Sequence, residues 1–446
     1  MNTPVSTPIC DFARRYAEAG FSRLHTPGHK GRGPLGAEAL DITEIAGADS
    51  LYEADGIIAE SERNAAMIFG SGRTLYSAEG SSQCIRAMLY LALTHAPRIP
   101  GARPVALAAR NAHKAFLFAA ALCDFDVEWL WPEGEDGALC SCPVSAAALA
   151  RRLEGMAVKP FCVYVTSPDY LGGMQDIAAL AEAAHRFGVP LIVDNAHGAY
   201  LRFLPEDQHP LALGADLCCD SAHKTLPVLT GGAYLHISRK ADPAYGDDAR
   251  AAMALFGSTS PSYLILESLD AANPVLHGDY PLRLERKRAR LDELKGTLAR
   301  RGFSVRPSEP MKLVLDADGA ALAAQLRAGG VECEFSDARH VVMMFSADTP
   351  ARDFGRVAAI LQTPVAYKGP REPRLQPAER ALTIREAMFA ASEWVDTENA
   401  AGRICAAPTV SCPPAIPIAV SGERIAEGTV AALRFYGIDR IRVCRV

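Results

Sequence analysis

Apolar residues along this chain follow two alternating patterns, short continuous runs and longer segments in which they recur at helical spacing. The continuous runs predict strands buried on both faces, and the helical segments predict the helices that connect them. Near-continuous apolar strands of this kind are typical of a parallel sheet that helices cover on both faces. The pattern therefore predicts an α/β protein, with strands at 103–109, 127–131, 161–166 and 190–194 and helices at 111–122 and 177–187.

After residue 280 the pattern predicts smaller lobes that combine helices and strands. A strongly charged helix at 280–301 leads into them, and its charges indicate a solvated face rather than a nucleic-acid site. A small α+β lobe is predicted from a strand at 312–315, a helix near 320–328 and a strand at 340–345. A proline-rich connector at 369–377 precedes a helix, a loop broken by prolines at 412–417, another helix and a terminal strand. We therefore predict four segments: 1–60, 61–280, 281–368 and 369–446.

Composition and charge exclude several classes of partner. The 446 residues are 49% hydrophobic and 22% charged, which is ample for a large core, and the formal net charge is −6. Because the basic residues are scattered, neither nucleic acid nor an anionic membrane is an expected partner. The first residues lack the pattern of a signal peptide, and no run approaches the ~20 apolar residues of a membrane span. We expect a soluble cytoplasmic protein that acts on a small molecule.

The twelve cysteines are spread from Cys10 to Cys444, and several lie in apolar segments. Cys140 and Cys142 are separated by one serine, but no second pair or histidine cluster follows at zinc spacing. Free cysteine behaves as a small buried hydrophobe. We therefore expect reduced, structural thiols and no metal site.

The segment Ser221-Ala-His-Lys224-Thr follows a strand-like run and carries the first candidate chemistry. A lysine condenses with an aldehyde cofactor when it is held and partly desolvated, so that a neutral amine is accessible. Ser221 and His223 are placed to donate hydrogen bonds to a phosphate. An ordinary surface lysine would give the same string, so this segment indicates a pyridoxal 5′-phosphate (PLP) site only together with others.

Asp194 ends the predicted strand 190–194, and ligands of open α/β sheets bind beyond the carboxyl ends of strands. A carboxylate facing the pyridine nitrogen of PLP keeps that nitrogen protonated. Ala196 follows on the same side, with a side chain small enough for a ring to rest against. The alternative is that Asp194 is the N-cap of a helix.

Two more segments complete the candidate site. Glu79-Gly80-Ser81-Ser82-Gln83 opens a predicted helix, where glycine, hydroxyl groups and free N–H groups suit a phosphate, although a simple capping turn has the same residues. His113 follows a strand and could stack on a ring, or could be structural. The four signals lie on successive strand-to-helix loops in one order, which favours a PLP site over background.

At these residues the chain resembles the ornithine/lysine/arginine decarboxylase family of fold-type-I PLP enzymes. The resemblance covers nearly the whole chain, and it is strongest for the short members that lack an N-terminal wing domain. It is carried by His25–Gly31, Arg110–Lys114, Asp194–Ala199, Ser221–Thr225, Ser258–Tyr263, and Cys412–Pro417 followed by Gly422-Glu423.

The resemblance implies a role for each matching residue. Lys224 would form the Schiff base, Asp194 would pair with the pyridine nitrogen, and His113 and Ala196 would enclose the ring. The phosphate and the rest of the cofactor would be bound by Ser81, Ser82, Gln83, His197, Ser221 and His223. Ser258 and Thr259 would reach the cofactor of a second subunit, since such enzymes are homodimers or dimer-based oligomers. The His25–Lys30 stretch would lie near a site, in a role that stays open.

This sequence departs from the family pattern beside the expected substrate pocket. Asn195 stands where an acidic residue is usual, and Tyr200 where a second histidine is usual. In the proline-rich loop, Ala415 replaces a glycine and Cys412 an aromatic residue. The cofactor residues are intact, so these departures concern which substrate is used.

We therefore predict α-decarboxylation of a basic L-amino acid (arginine, lysine or ornithine) to the amine and CO2. His223 and Lys224 both remain candidates for the proton donor to Cα. A buried cationic side chain requires a carboxylate partner, for which Glu423 is a first guess and Glu334 a second. The alternatives are an aminotransferase or lyase on the same fold, or a catalytically silent PLP-binding regulator. No arginine is singled out as the carboxylate clamp of an aminotransferase.

Overall fold

A computed structural model describes residues 5–133, 139–410 and 416–445. Its strands are β1 Arg73–Ser77, β2 Val105–Ala109, β3 Asp126–Leu130, β4 Cys162–Thr166, β5 Leu191–Asp194, β6 Leu217–Asp220, β7 Ala233–Ile237, β8 Ser304–Arg306, β9 Lys312–Asp316, β10 Phe335–Ser336, β11 His340–Met344, β12 Ser392–Asp396, β13 Thr409–Val410, β14 Pro417–Ala419 and β15 Arg440–Cys444.

The α-helices are α1 Pro8–Glu18, α2 Ile57–Phe69, α3 Ser81–His95, α4 Lys114–Cys123, α5 Ala146–Gly155, α6 Ile177–His185, α7 Ala222–Thr225, α8 Pro243–Leu255, α9 Tyr263–His277, α10 Tyr280–Arg300, α11 Gly319–Ala328, α12 Ala351–Ile360, α13 Ile384–Phe389 and α14 Glu427–Phe435. Two 3₁₀ turns lie at Ala199–Phe203 and Thr397–Asn399. Within the described residues, no helix is both long and apolar enough to cross a membrane.

The large sheet has the strand order β1-β7-β6-β5-β4-β2-β3. Its pairs β5–β6, β2–β3 and β2–β4 are parallel, whereas β7 runs antiparallel to both β6 and β1. The central strands are buried along their whole length, because most of their residues are apolar on both faces. The prediction of a mostly parallel α/β sheet is confirmed, and each strand and helix predicted between 103 and 194 is present.

By contacts the chain divides into two compact units. The first comprises the chain up to Ala96 together with Pro190–Glu285, and it contains β1, β5, β6 and β7. Helices α2 and α9 pack on β1, and α3 packs on β6 and β7. The C-terminal ends of β5 and β6 and the N-terminus of α3 all belong to this unit, which therefore carries most of the candidate site.

The second unit comprises Pro97–Val189 together with the chain from Arg286 onward. Besides β2, β3 and β4 it contains an antiparallel sheet of order β10-β11-β9-β8, which confirms the predicted α+β lobe. The C-terminal part pairs β12 with β15 and β13 with β14, and sequence analysis missed β12, β13 and β14. Cys412 and Ala415 lie outside the described residues. The four-segment division remains a prediction.

Candidate active site

Asp194 is the last residue of β5 and is almost fully buried. Its Oδ1 accepts hydrogen bonds from the backbone N–H of Ala196 at 3.2 Å and from the thiol of Cys219 at 3.7 Å. Cys219 is its register partner on the parallel strand β6. The next residues form a turn and then a 3₁₀ helix whose N-cap is Gly198, so Asp194 is not the helix N-cap of the alternative interpretation. The carboxylate instead closes a tight turn at the end of a buried strand.

Lys224 lies on the short helix α7, directly after β6. Its side chain is half-buried, and its Nζ lies 3.0 Å from Nε2 of His197, a buried residue of the turn that follows β5. An amine and an imidazole at this distance are joined by a hydrogen bond, in which either nitrogen can be the donor. The turns after two adjacent strands thus bring a lysine amine, an imidazole and the Asp194 segment into one place.

The turn before α3 has the properties of a phosphate-binding turn. Gly80 is the N-cap of this helix with φ 70° and ψ 179°, and no side chain caps the helix N-terminus. A Cβ built on Gly80 would meet no atom within 4 Å, so the turn opens onto free space. Beside it the hydroxyl of Ser221 donates to that of Ser81 at 2.8 Å, and Ser82 is partly exposed. Hydroxyl groups and helix N–H groups therefore converge where an anion fits.

The side chain of Gln83, which the sequence predicts to lie at the phosphate, makes its hydrogen bonds inside the protein. Its side chain is fully buried, donates to the hydroxyl of Tyr52 and the carbonyl of Met253, both at 2.8 Å, and accepts from Ser77 at 2.6 Å. The amide is thus engaged inside the protein and holds the base of the turn. Its side-chain N–H groups are therefore used inside the protein, and a part for Gln83 in phosphate binding stays a prediction.

His223 and His113 each use one ring nitrogen locally. Nδ1 of His223 donates to the carbonyl of Gly232 at 3.0 Å, which leaves Nε2 as the acceptor of the neutral ring. His113, in the second unit, is the N-cap of α4, and its Nδ1 accepts from the backbone N–H of Ala115 at 3.1 Å. The structural role foreseen for His113 is therefore present, and its stacking on a cofactor remains a prediction.

The other predicted residues are placed as follows. Ala196 is buried in the turn after β5. Ser258 and Thr259 are exposed after α8, and the backbone N–H of Ser258 donates to the Glu79 carboxylate. In the N-terminal stretch, His29 lies 3.1 Å from Asp41 in a largely exposed segment, and the role of this stretch stays open.

The two candidate carboxylates for the substrate side chain have different surroundings. Glu334 accepts a hydrogen bond from the Tyr170 hydroxyl at 2.9 Å, which gives it a structural role. Glu423 accepts from the backbone N–H of Val420 at 3.0 Å, and burial raises the pKa of its carboxyl against the opposing effect of Arg110. Glu423 also lines a groove of about 460 Å³ with Trp129, Trp131 and Ser421 among its walls. Glu334 also lines a groove, of about 600 Å³, but its side chain is exposed, so of the two Glu423 has the more buried carboxylate beside such a space.

Arg110 has a structural use that the sequence did not reveal. Its buried guanidinium donates to the carbonyl oxygens of Pro417 and Ile418 at 2.7 and 3.1 Å and lies over the rings of Trp129 and Trp131. It therefore holds the strand β14 and is not available as a carboxylate clamp through those donors.

Sequence reasoning also missed a buried polar cluster behind the site, formed by Asn195, His209, Asp220 and His236. One signal was visible, because Asp220 ends an apolar strand and a buried carboxylate requires partners. The sequence did not indicate which partners these are.

Comparison with known proteins gives two matches to one family. A model described as the major domain of Orn/Lys/Arg decarboxylases matches residues 7–291, and a model of the C-terminal domain of the same family matches residues 361–438. The two matches together span most of the chain.

Individual relatives agree with this assignment. An uncharacterized protein of Bacillus subtilis, YaaO, is 27% identical over 97% of this chain and 94% of its own length. An arginine decarboxylase of the same organism is also 27% identical, again over 97% of this chain and 94% of its own length. Among solved structures, the constitutive lysine decarboxylase of Escherichia coli superimposes with a TM-score of 0.79 at 17% identity, covering 99% of this chain and 82% of that chain. The fold is thus shared with a lysine decarboxylase.

Proposed function

Because this chain belongs to the Orn/Lys/Arg decarboxylase family, we propose that it removes the α-carboxylate of a basic L-amino acid, with PLP held at Lys224. The observation that carries the proposal is the 3.0 Å contact between Lys224 Nζ and His197, formed by the turns that follow β5 and β6. Asp194 at the end of β5 and the open turn at Gly80 supply the remaining features that PLP requires.

The donor set of the first unit fits this cofactor. Lys224 would hold the aldehyde carbon, and the buried Asp194 carboxylate would face the pyridine nitrogen. Ser81, Ser82 and Ser221 would bind the phosphate at the uncapped N-terminus of α3, where a Gly80 Cβ would meet no atom. Ala196 and, by the family resemblance, His113 would enclose the ring. When bound, PLP supplies an electron-accepting ring that stabilises the electron pair left as CO2 departs.

His197 and Lys224 together manage protons at this site. A lysine reacts with an aldehyde only as the neutral amine, and His197, whose Nε2 lies 3.0 Å from Nζ, would accept the proton that Lys224 must lose. Once CO2 had left, the same contact would supply a proton to Nζ, and this favours Lys224 over His223 as the donor to Cα. Nδ1 of His223 is anchored on the Gly232 carbonyl, so only its Nε2 is placed for proton exchange.

The substrate side chain is the part of the proposal that depends on Glu423. An ammonium or guanidinium group would offset the cost of burying this carboxylate, which lines a groove beside aromatic rings. Glu423→Gln should therefore raise KM for the basic substrate at least tenfold with a smaller change in kcat. Glu334→Gln is the matched control, because Glu334 binds Tyr170, and it should leave KM unchanged. Equal KM values in both variants would remove Glu423 from the substrate pocket.

The central experiment is incubation of the purified protein with PLP, and then with arginine, lysine and ornithine in turn. We expect visible absorbance that borohydride reduction fixes to Lys224, followed by release of CO2 and the corresponding amine. Lys224→Ala should abolish both, whereas Lys240→Ala, at an exposed lysine of the same unit, should change neither. Formation of pyridoxamine phosphate would indicate an aminotransferase. Cofactor binding with no turnover of the three substrates would indicate the silent regulator.

The proposal extends to a homodimer that acts in the cytoplasm. Ser258 and Thr259 are exposed, as residues that reach a second subunit's cofactor must be before assembly. The described cysteines are free thiols and most of them are buried, which suits a reducing compartment. Light scattering should give twice the chain mass or a multiple of the dimer mass, and a monomer with full activity would refute the shared site.

A further inference from the structure

The residues next to Asp194 and next to Ser221 form a buried side-chain contact of their own. Asn195 follows Asp194, and its Nδ2 donates to Oδ1 of Asp220, the last residue of β6, at 2.6 Å. Neither residue has any exposed surface. The backbone N–H of Asn195 also donates to the carbonyl of Cys219 at 3.0 Å. The two turns that carry the proposed cofactor ligands are therefore joined by one amide–carboxylate pair.

The second oxygen of Asp220 is bound by two buried histidines. Oδ2 lies 3.0 Å from Nε2 of His209 and 3.2 Å from Nε2 of His236, and both rings are fully buried. Burial by itself would raise the pKa of the Asp220 carboxyl, but the charge and hydrogen bond of His209 and the hydrogen bond of His236 outweigh it and lower that pKa below its usual range. Asp220 is therefore an ionised carboxylate whose oxygens are satisfied by three donors.

Hydrogen bonds account for this cluster better than a metal ion does. His209, Cys218 and Asp220 are close enough to share an ion. However, Nε2 of His209 and Nε2 of His236 both donate to Oδ2 of Asp220, at 3.0 and 3.2 Å, so hydrogen bonds already occupy the atoms that face this carboxylate.

The chemistry of positions 195 and 220 is interdependent. An acid at 195 would place two buried carboxylates within hydrogen-bond distance, which is strongly unfavourable. Two amides would leave His209 and His236 without the negative carboxylate to which they bind. One acid and one amide satisfy every donor, and Asp220 supplies the acid from the neighbouring strand. This accounts for the departure at Asn195 noted in the sequence.

We propose that Asn195 and Asp220 are a positioning pair that fixes the Asp194 turn relative to the Lys224 turn and so sets the affinity for the cofactor. The inference rests on the proposed function, because it assigns the pair to the same PLP site. Neither residue touches the cofactor directly. Each acts through its neighbour, Asn195 through Asp194 and Ala196, and Asp220 through Ser221, whose carbonyl accepts the backbone N–H of Lys224 at 3.0 Å.

The test is an exchange of the acid and the amide. Asn195→Asp and Asp220→Asn should each raise the Kd of PLP at least tenfold and shift the pH titration of the bound cofactor's absorbance. The double variant should return the Kd to within about threefold of wild type and restore the wild-type pH titration. The reason is that the amide introduced at position 220 would accept from the histidines and donate to the carboxylate introduced at position 195. A milder change, Asn195→Ala, removes one of the three hydrogen-bond donors to Asp220 and leaves the two histidines. This variant provides the test if the charge variants do not fold. It should raise Kd three- to tenfold.

Asn273→Asp is the matched control, since Asn273 is an equally buried amide of the same unit that binds Ser61 and Tyr76. It should lower the melting temperature without changing the Kd or the pH profile of bound PLP. A folded double variant with no recovery would overturn the proposal, and so would single variants with wild-type Kd. Stoichiometric zinc in the purified protein would show that the cluster is a metal site and not a positioning pair. A wild-type protein that binds no PLP would refute the proposed function instead.

Discussion

Gly80→Ala probes the proposed phosphate turn with the smallest possible change. Gly80 has φ 70° and ψ 179°, in a backbone region that is essentially restricted to glycine. A Cβ at this position would meet no atom within 4 Å, so the substitution produces no clash in the protein alone. Its effects on folding and on cofactor binding can therefore be separated.

The magnitude follows from these two facts. Backbone strain should lower the free energy of unfolding by about 1–3 kcal/mol, with no added steric cost. If the turn relaxes to escape that strain, Ser81 and the first N–H groups of α3 move, and if it does not, the new methyl group occupies the open space. Either response should raise the Kd of PLP by about tenfold or more, which corresponds to a loss of ~1.4 kcal/mol in binding free energy.

The assay is a PLP titration followed by visible absorbance, alongside urea unfolding of the cofactor-free protein. Gly101→Ala is the control, because Gly101 also has a positive φ of 77° and free space around its Cβ, but lies on an exposed loop of the second unit. It should lose stability and keep wild-type affinity for PLP. If Gly80→Ala lost stability and still bound PLP as wild type does, the phosphate would have to lie elsewhere.

Three further predictions concern stability. Burial raises the pKa of Glu267 from 4.5 to about 8, so the folded state retains a proton that the unfolded state loses as pH rises between these values, and stability falls over that window. In urea unfolding, the free energy of unfolding of Glu267→Gln should equal that of wild type near pH 4.5. At pH 8 it should exceed that of wild type by about 2–4 kcal/mol, after allowance for partial solvent screening. A variant with the same pH dependence as wild type would contradict this prediction. Phe116→Ala removes a fully buried ring that packs on Tyr164, and it should lower the free energy of unfolding by about 3–5 kcal/mol. The control Phe389→Ala, at an exposed ring, should lower it by less than about 0.5 kcal/mol. Thr383→Ala removes the capping box of α13 and should lower the free energy of unfolding in urea by about 1 kcal/mol. An unchanged free energy of unfolding would mean that the capping box does not stabilise the protein.

The sequence by itself determined the elements and the local chemistry of the site. Continuous apolar runs specified β2 to β5, because a strand buried on both faces is built mainly from apolar residues. The order of Ser81, His113, Asp194 and Lys224, each at the end of a predicted strand, indicated the cofactor, since the ends of parallel strands meet at one edge. These inferences need only neighbours along the chain, and the strands predicted from them are present.

Tertiary structure decided which buried polar groups pair with one another. Asn195 and Asp220 are 25 residues apart and meet only because β5 and β6 are adjacent, and His236 joins them because β7 lies next to β6. Gln83 reads as a phosphate ligand in sequence but turns inward to Tyr52 and Met253, since a buried amide takes whichever partners the packing supplies. A residue's own neighbours set its backbone and its burial, whereas its hydrogen-bond partners depend on strand order, which no local pattern contains.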